Sequence, residues 1–390
     1  MRKELNMPTV IRYFGSYLKS PRMVEQNIIF YKPIIALNWK VCMVLERPPE
    51  NKEWLDRIKE LGVEIEYMPR PKRNFDLLLA YKVFKLCRKY RTDVIHCENM
   101  HTSPLIGAFF ARTKVRLWTK RSMNLATELG RKPTLRDKVA VSTRLSAFLS
   151  TKILAVSNKV KEELLSLSVP DKKVLVYCNP FTRGRENPHT REGSREKYGY
   201  KDSDIVLVSI GHTVHVKGWD VLLEAFSAAH KKNKSLKLLF VGSFTDDHEK
   251  ETYIELKKII DKSGISENVK FIGYMYDIQL PLKAADIFVL SSRAEGFGNV
   301  ILEALSEKLP CISTDVGIAS QVIKEGKNGY IVNVNNKKNM SEKILQLVNS
   351  KELRGEFSKN AVVPDFILDS PQYAERNAKL YQQLIGHEEV

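Results

Sequence analysis

Short apolar runs alternate with longer amphipathic stretches along most of the chain, and this alternation starts twice. A strand buried in a parallel sheet needs such a run, and the crossover to its neighbour needs a helix with one apolar face. The pattern therefore predicts parallel α/β architecture. In the first half the runs are Lys40 to Leu45, Val63 to Tyr67, Val94 to Cys97, Arg116 to Thr119, Ile153 to Val156 and Val174 to Tyr177. Helical stretches such as Asn51 to Leu61 and Leu77 to Tyr90 lie between them. From Thr182 to Ser194 the sequence turns polar and rich in turn formers, which marks a boundary. The alternation restarts with Ile205 to Ile210, Leu236 to Val241, Val269 to Ile272, Ile287 to Leu290 and Cys311 to Thr314. The expectation is two doubly wound, Rossmann-like domains facing a cleft, over residues 1–182 and 183–369, with a terminal helix over 370–390 packing back on the first. A length of 390 residues suits two cores.

In doubly wound sheets ligands bind beyond the carboxyl ends of the strands, so the loops after Ile210, Val241, Ile272 and Leu290 are where chemistry is sought. The most informative stretch runs from Ser291 to Leu305. A strand gives way to a loop with two glycines and then to a helix near Asn299, which places Gly296, Phe297 and Gly298 at a helix N-terminus. Unpaired amides and the positive end of the dipole favour a phosphate there. Glu295 enters from the loop, and Glu303 lies about one turn into the helix. Two carboxylates would repel a phosphate, so hydrogen bonds from the hydroxyls of a sugar and a ribose suit them better. The plainer alternative is that Glu295 complements the helix dipole and Glu303 is a solvated face residue. A second stretch, Val208 to Asp220, runs from a strand through Gly211 and His212 to Lys217 and Gly218 and then into a helix. Lys217 can bring an ammonium to the mouth of the sheet, where a diphosphate needs charged donors. It lacks the P-loop pattern.

These pieces resemble the nucleotide-sugar-dependent glycosyltransferases of family 4, which have the two-domain GT-B fold. The resemblance rests on Gly211 with Lys217 and Gly218, Leu239 to Gly242, Val269 to Gly273, Ala284 to Asp286, the Glu295 and Glu303 block, Thr314 to Gly317, and Asn328 with Gly329. It spans nearly all of residues 150 to 345, and more loosely Asp93 to His96, Ala155 to Ser157 and Lys173 to Asn179. It implies a retaining hexosyltransferase of polysaccharide or lipopolysaccharide biosynthesis, with a nucleoside diphosphate sugar as donor and neither metal nor bound cofactor. Glu295 would bind hydroxyls of the transferred sugar, and Glu303 the ribose. The amides of Gly296 to Gly298 would hold the diphosphate with Lys217, and the backbone near Tyr274 would meet the base. Three positions depart from the family. His212 stands where an Arg is usual, Arg121 replaces a His after the fourth strand, and a double-glycine loop is reduced to Gly15. On the acceptor side the candidates are Gly15, His96 and Arg121.

Charge divides the chain unequally. Residues 1–180 carry 34 Lys and Arg against 17 Asp and Glu, whereas the remainder carries 29 of each. Basic clusters at 70–73, 82–91 and 114–144 would attract anionic lipid headgroups. An anionic acceptor sugar, a nucleic acid or a merely solvated face are the alternatives. No helix-turn-helix, zinc finger or RNP-type aromatic motif supports nucleic acid. Asp202 and Asp204 precede a strand and read as a turn, not as a metal site. Asp246, Asp247 and His248 read as a loop and helix cap. Residues 27–45, the longest candidate membrane segment, are interrupted by Lys32, Pro33, Asn38 and Lys40, so no spanning helix is expected. Five scattered cysteines without CxxC spacing predict reduced thiols. With no signal-peptide pattern, the expected location is cytoplasmic or peripheral on the inner face of the membrane. Rival expectations are an epimerase or phosphorylase of the same fold and, outside enzymes, a basic nucleic-acid-binding protein.

Overall fold

The computed structural model describes residues 7–70, 75–98, 102–123, 138–183 and 187–386. The chain divides between Phe181 and Thr182 and returns to the first unit at Ile367, so the second unit ends three residues before the expected 369.

The first unit holds seven strands: β1 (Thr9–Tyr13), β2 (Lys40–Leu45), β3 (Glu64–Tyr67), β4 (Val94–Cys97), β5 (Val115–Lys120), β6 (Lys152–Ala155) and β7 (Val174–Val176). All pairings are parallel, in the order β3-β2-β1-β4-β5-β6-β7. β1 is absent from the sequence expectations because Arg12 interrupts its apolar run. Right-handed crossovers put helices on one face when the chain moves one way across the sheet and on the other when it reverses. Pro21–Ala36 and Glu53–Lys59 therefore lie on one face, and Leu77–Lys89, Ser103–Phe110 and Lys138–Leu149 on the other. The helix Ser370–Gly386 packs on Pro21–Ala36, and its Tyr373 and Tyr381 join the buried core of Val10, Phe30, Tyr31 and Met43.

The second unit repeats the plan with β8 (Ile205–Ile210), β9 (Leu236–Val241), β10 (Val269–Phe271), β11 (Ile287–Leu290), β12 (Cys311–Thr314) and β13 (Gly329–Val332). Their order is β10-β9-β8-β11-β12-β13, again all parallel. Its core gathers Trp219, Phe226, Phe240, Val289 and Ile344. Each large side chain buried there contributes about 1.5–3 kcal/mol. Trp219 packs against Phe240, with ring centroids 4.4 Å apart and the planes tilted by 37°, and satisfies its indole N–H on Ser209 Oγ at 3.1 Å, which fixes the start of the helix Trp219–Lys232. Asp246 caps the helix Asp247–Ser263 through a capping box with Glu249. Asp204 Oδ2 accepts from the Lys201 amide just before β8, as a turn residue does. All five cysteines are free thiols.

Candidate active site

In each sheet the strand order reverses between the first and fourth strands, and the loops leaving those two strands diverge around a crevice. In the second unit these are the loops after β8 and β11. They are stitched together by backbone: Arg293 N donates to Val216 O at 2.7 Å, and Ser291 Oγ donates to Lys217 O at 3.0 Å. Gly218 makes the approach possible, since its φ is +63° and a Cβ there would lie 2.1 Å from Ser291 O. The Arg293 guanidinium adds two bonds to Asp220, of 2.9 and 2.7 Å, and a third to His215 O at 2.6 Å. Burial opposes the charge on Asp220, yet this bidentate partner holds its carboxyl below the usual range.

Across the junction Lys217 Nζ donates to Glu295 Oε1 at 2.7 Å, and Ser292 Oγ donates to the same oxygen at 2.7 Å. The two side chains are 19% and 13% exposed, so both are held by the protein and still reach solvent. The Lys217 stem runs over Gly211, where a Cβ would lie 3.2 Å from its Cδ and Cε. Thr314 Oγ1, at the end of β12, donates to Ser292 O at 2.6 Å and fixes the turn that aims Glu295. The helix Asn299–Ser306 then starts from Gly298, whose φ is +88° and which offers no side-chain cap to the first-turn amides. Phe297 is buried, and its carbonyl accepts from Ile318 N at 2.8 Å. This anchors the loop in front of the helix. Glu303 is half-buried on that helix. The structure thus brings Gly211, Lys217, Glu295 and Gly296 to Gly298 to one crevice.

The other expected residues are placed differently. Tyr274 follows Gly273 in the loop after β10 and is 70% exposed. His212 turns to the neighbouring helix start, with Nδ1 3.0 Å from Glu249 Oε1 and 71% of its side chain exposed. In the first unit Gly15 adopts a φ of +63° in the loop after β1. His96 does not line a ligand surface: it is buried in β4 with Nδ1 2.6 Å from the Tyr381 hydroxyl and Nε2 2.6 Å from Thr119 Oγ1. Both ring nitrogens are occupied, and burial pushes its pKa down to about 4. Arg121 follows β5, donates to Glu98 Oε2 and Asn179 Oδ1 at 2.8 Å each, and is 39% exposed.

Sequence reasoning missed the partner of Arg121. Arg12 Nε donates to Glu98 Oε1 at 2.5 Å, its Nη1 donates to Asn27 Oδ1 at 2.6 Å, and its guanidinium lies 3.9 Å from the Phe30 ring centroid. Burial would push the Glu98 carboxyl up, but Arg12 and Arg121 hold it well below the usual carboxylate range. A charged residue inside the apolar run Thr9–Tyr13 was the available signal. Among the described residues, no group of three or more His, Cys, Asp or Glu is arranged to hold a metal, and no helix is long and apolar enough to cross a membrane.

Comparison with known proteins gives the family and the fold. The family described as Glycosyl transferases group 1 matches residues 190–362, and the Glycosyl transferase 4-like domain matches residues 31–180. The capsular polysaccharide biosynthesis glycosyltransferase CapM of Staphylococcus aureus is 26% identical over 319 residues, covering 78% of this chain and 80% of that one. The N-acetyl-alpha-D-glucosaminyl L-malate synthase of Bacillus anthracis is 27% identical over 300 residues, covering 75% of each. The crystal structure of Anabaena HepE in complex with UDP superimposes with a TM-score of 0.76 at 17% identity, covering 97% of this chain and 100% of that one, which speaks to the fold. With both of its units matched, the chain belongs to the family 4 glycosyltransferases of GT-B fold and is a glycosyltransferase.

Proposed function

We propose that this enzyme transfers a hexose from a nucleoside diphosphate sugar to a hydroxyl of a membrane-associated glycan or glycolipid, with retention at the anomeric carbon and without a metal. The observation that carries the reading is the Lys217 to Glu295 pair, 2.7 Å across the switch point and still open to solvent. An ammonium has three N–H donors, and Glu295 takes one of them. The others suit the diphosphate, together with the amides that follow Gly298. Glu295 and Glu303 suit hydroxyls of the sugar and the ribose, and the loop at Tyr274 suits the base.

In the reaction the bond between the anomeric carbon and the β-phosphate oxygen breaks, and negative charge grows on the departing diphosphate. Lys217 and the helix N-terminus stabilise that charge. The acceptor oxygen bonds to the same face of the anomeric carbon, and its proton passes to the leaving phosphate oxygen. The relative named for capsular polysaccharide biosynthesis favours a cell-surface glycan as the product, and with it a cytoplasmic or peripheral location. The UDP bound to the Anabaena neighbour makes uridine diphosphate sugars the first donors to try. A second reading, transfer to a small hydroxy acid, draws on the relative named for L-malate and on the half-exposed Arg121.

Radiolabelled nucleotide sugars incubated with membranes or with soluble hydroxy acids test both readings. Label entering the lipid or polysaccharide fraction, insensitive to chelator, supports the first, and label on the soluble acid alone favours the second. Release of free sugar without any acceptor would sink both.

A further inference from the structure

The helices Leu77–Lys89, Ser103–Phe110 and Lys138–Leu149 share one face of the first sheet, and none of them contains an Asp or Glu. They form one layer. Gly107 sits against Ala80, Val83 and Phe84, where a Cβ would lie 2.3 Å from Ala80 O. Thr102 Oγ1, at the start of the second helix, is 3.1 Å from Ser142 Oγ and 2.9 Å from Ser146 Oγ of the third. Arg116 closes the far end, with Nε on Leu149 O at 2.6 Å and its guanidinium 5.4 Å from the Phe109 ring centroid.

The outward side of this layer carries large apolar groups that the described residues leave exposed. Leu77 is 77% exposed and Leu78 63%, Phe110 is 68% exposed and Phe148 69%. Tyr81 and Val141 are also exposed. On the third helix Val141, Arg144 and Phe148 recur at the spacing of one helical face. On the first, Lys82, Lys85 and Arg88 follow the apolar turn, and Lys85 Nζ lies 4.7 Å from the Tyr81 ring centroid. Lys89 is set aside because Glu66 pairs with it at 2.7 Å.

We propose that this helical layer is a membrane-docking face that binds an anionic lipid surface. Charge complementarity selects the occupant. Leucine and aromatic side chains interspersed with lysine and arginine, with no acid among them, match an acyl boundary beneath anionic headgroups. The core of a protein interface is depleted in lysine, which argues against a protein partner. The face would hold the enzyme beside a lipid-borne acceptor. In purpose the inference therefore rests on the acceptor class proposed above, while the binding itself needs neither donor nor acceptor.

The test is flotation of the full chain with phosphatidylcholine vesicles, with and without phosphatidylglycerol, at low and high salt. Binding should require phosphatidylglycerol and weaken with salt. Lys82→Glu with Lys85→Glu should lower partitioning about fivefold or more per residue. Leu77→Ser with Leu78→Ser should also lower it, with an unchanged melting temperature and unchanged transfer to a soluble acceptor. Phe110→Ser with Phe148→Ser repeats the apolar test on the other two helices in case the first pair fails to fold. Equal binding to neutral vesicles would overturn the proposal, as would folded variants that bind like the parent. Self-association in sedimentation that these variants abolish, without vesicle binding, would reassign the face to a protein contact. If vesicles bind but no sugar is ever transferred to a lipid-borne acceptor, the docking face stands and the acceptor reading falls.

Discussion

Both sheets place a cation and a carboxylate at the same topological position, between the first and fourth strands, and the two units treat that pair in opposite ways. In the first unit Arg12 and Glu98 are sealed, at 9% and 5% side-chain exposure, beneath Phe30 and Asn27 of the helix Pro21–Ala36. In the second, Lys217 and Glu295 sit over glycines and reach solvent. A sealed pair must satisfy its hydrogen bonds within the protein, so it can do little except hold structure. An open pair keeps donors and acceptors for a ligand. The first pair is built to hold structure, and on the function proposed above the second is the one placed to meet a ligand.

The same kind of substitution should therefore give opposite readouts. Glu98→Gln leaves Arg12 buried without its counter-charge, and about 3–5 kcal/mol of stability should be lost. Chemical denaturation measures this, and a change below about 1 kcal/mol would mean that the pair does not anchor the first sheet. Lys217→Ala and Glu295→Gln should leave the melting temperature nearly unchanged and lower transfer about 10²–10³-fold. Undiminished transfer in either variant would remove the second crevice from the chemistry.

The sealed crevice should also carry an acid-sensitive term. Burial lowers the His96 pKa from 6.5 to about 4, so between those values the unfolded chain binds a proton that the folded one does not. Stability should be full above about pH 6.5 and decline as pH falls towards 4, by up to about 3 kcal/mol. Glu98, held below the carboxylate range, adds a further loss at still lower pH, as pH drops below the unfolded carboxyl value and through its own. Denaturant melts at several pH values should show this slope, and His96→Gln should flatten its upper part.

The fold and the open crevice were largely legible, for a common reason. Parallel strands leave short apolar runs, and Gly211, Lys217, Gly218, Glu295 and Gly298 lie in the two loops that leave β8 and β11, each close in sequence to the strand it follows. The sealed crevice was not legible, because its members are distant in sequence and look unremarkable alone. Arg12 disguised β1 as a polar stretch, and Glu98 shows its meaning only when β4 is placed beside β1. His96 misled in the other direction: it stands at the end of a central strand, yet its environment is made by Tyr381, some 285 residues away. Burial depends on such long-range partners, and local pattern does not carry it.

His212 lies at the rim of the open crevice and offers the finest test of the contrast, with the smallest expected effect. Its ring touches Glu249 at 3.0 Å but is mostly in solvent, where a pairing is worth only about 0.2–1 kcal/mol. His212→Ala should accordingly change the affinity for a nucleoside diphosphate by no more than about fivefold. His212→Arg would add a fork of N–H donors suited to phosphate oxygens, and binding should tighten by up to about tenfold if the rim faces the diphosphate. Calorimetric titration of both variants beside Lys217→Ala gives the ranking. A loss at His212 as large as that at Lys217 would show that the working charge reaches the exposed edge of the loop. The boundary between held and solvated groups would then fall at the helix that Asp246 caps, and the open crevice would be wider than the pair at its centre.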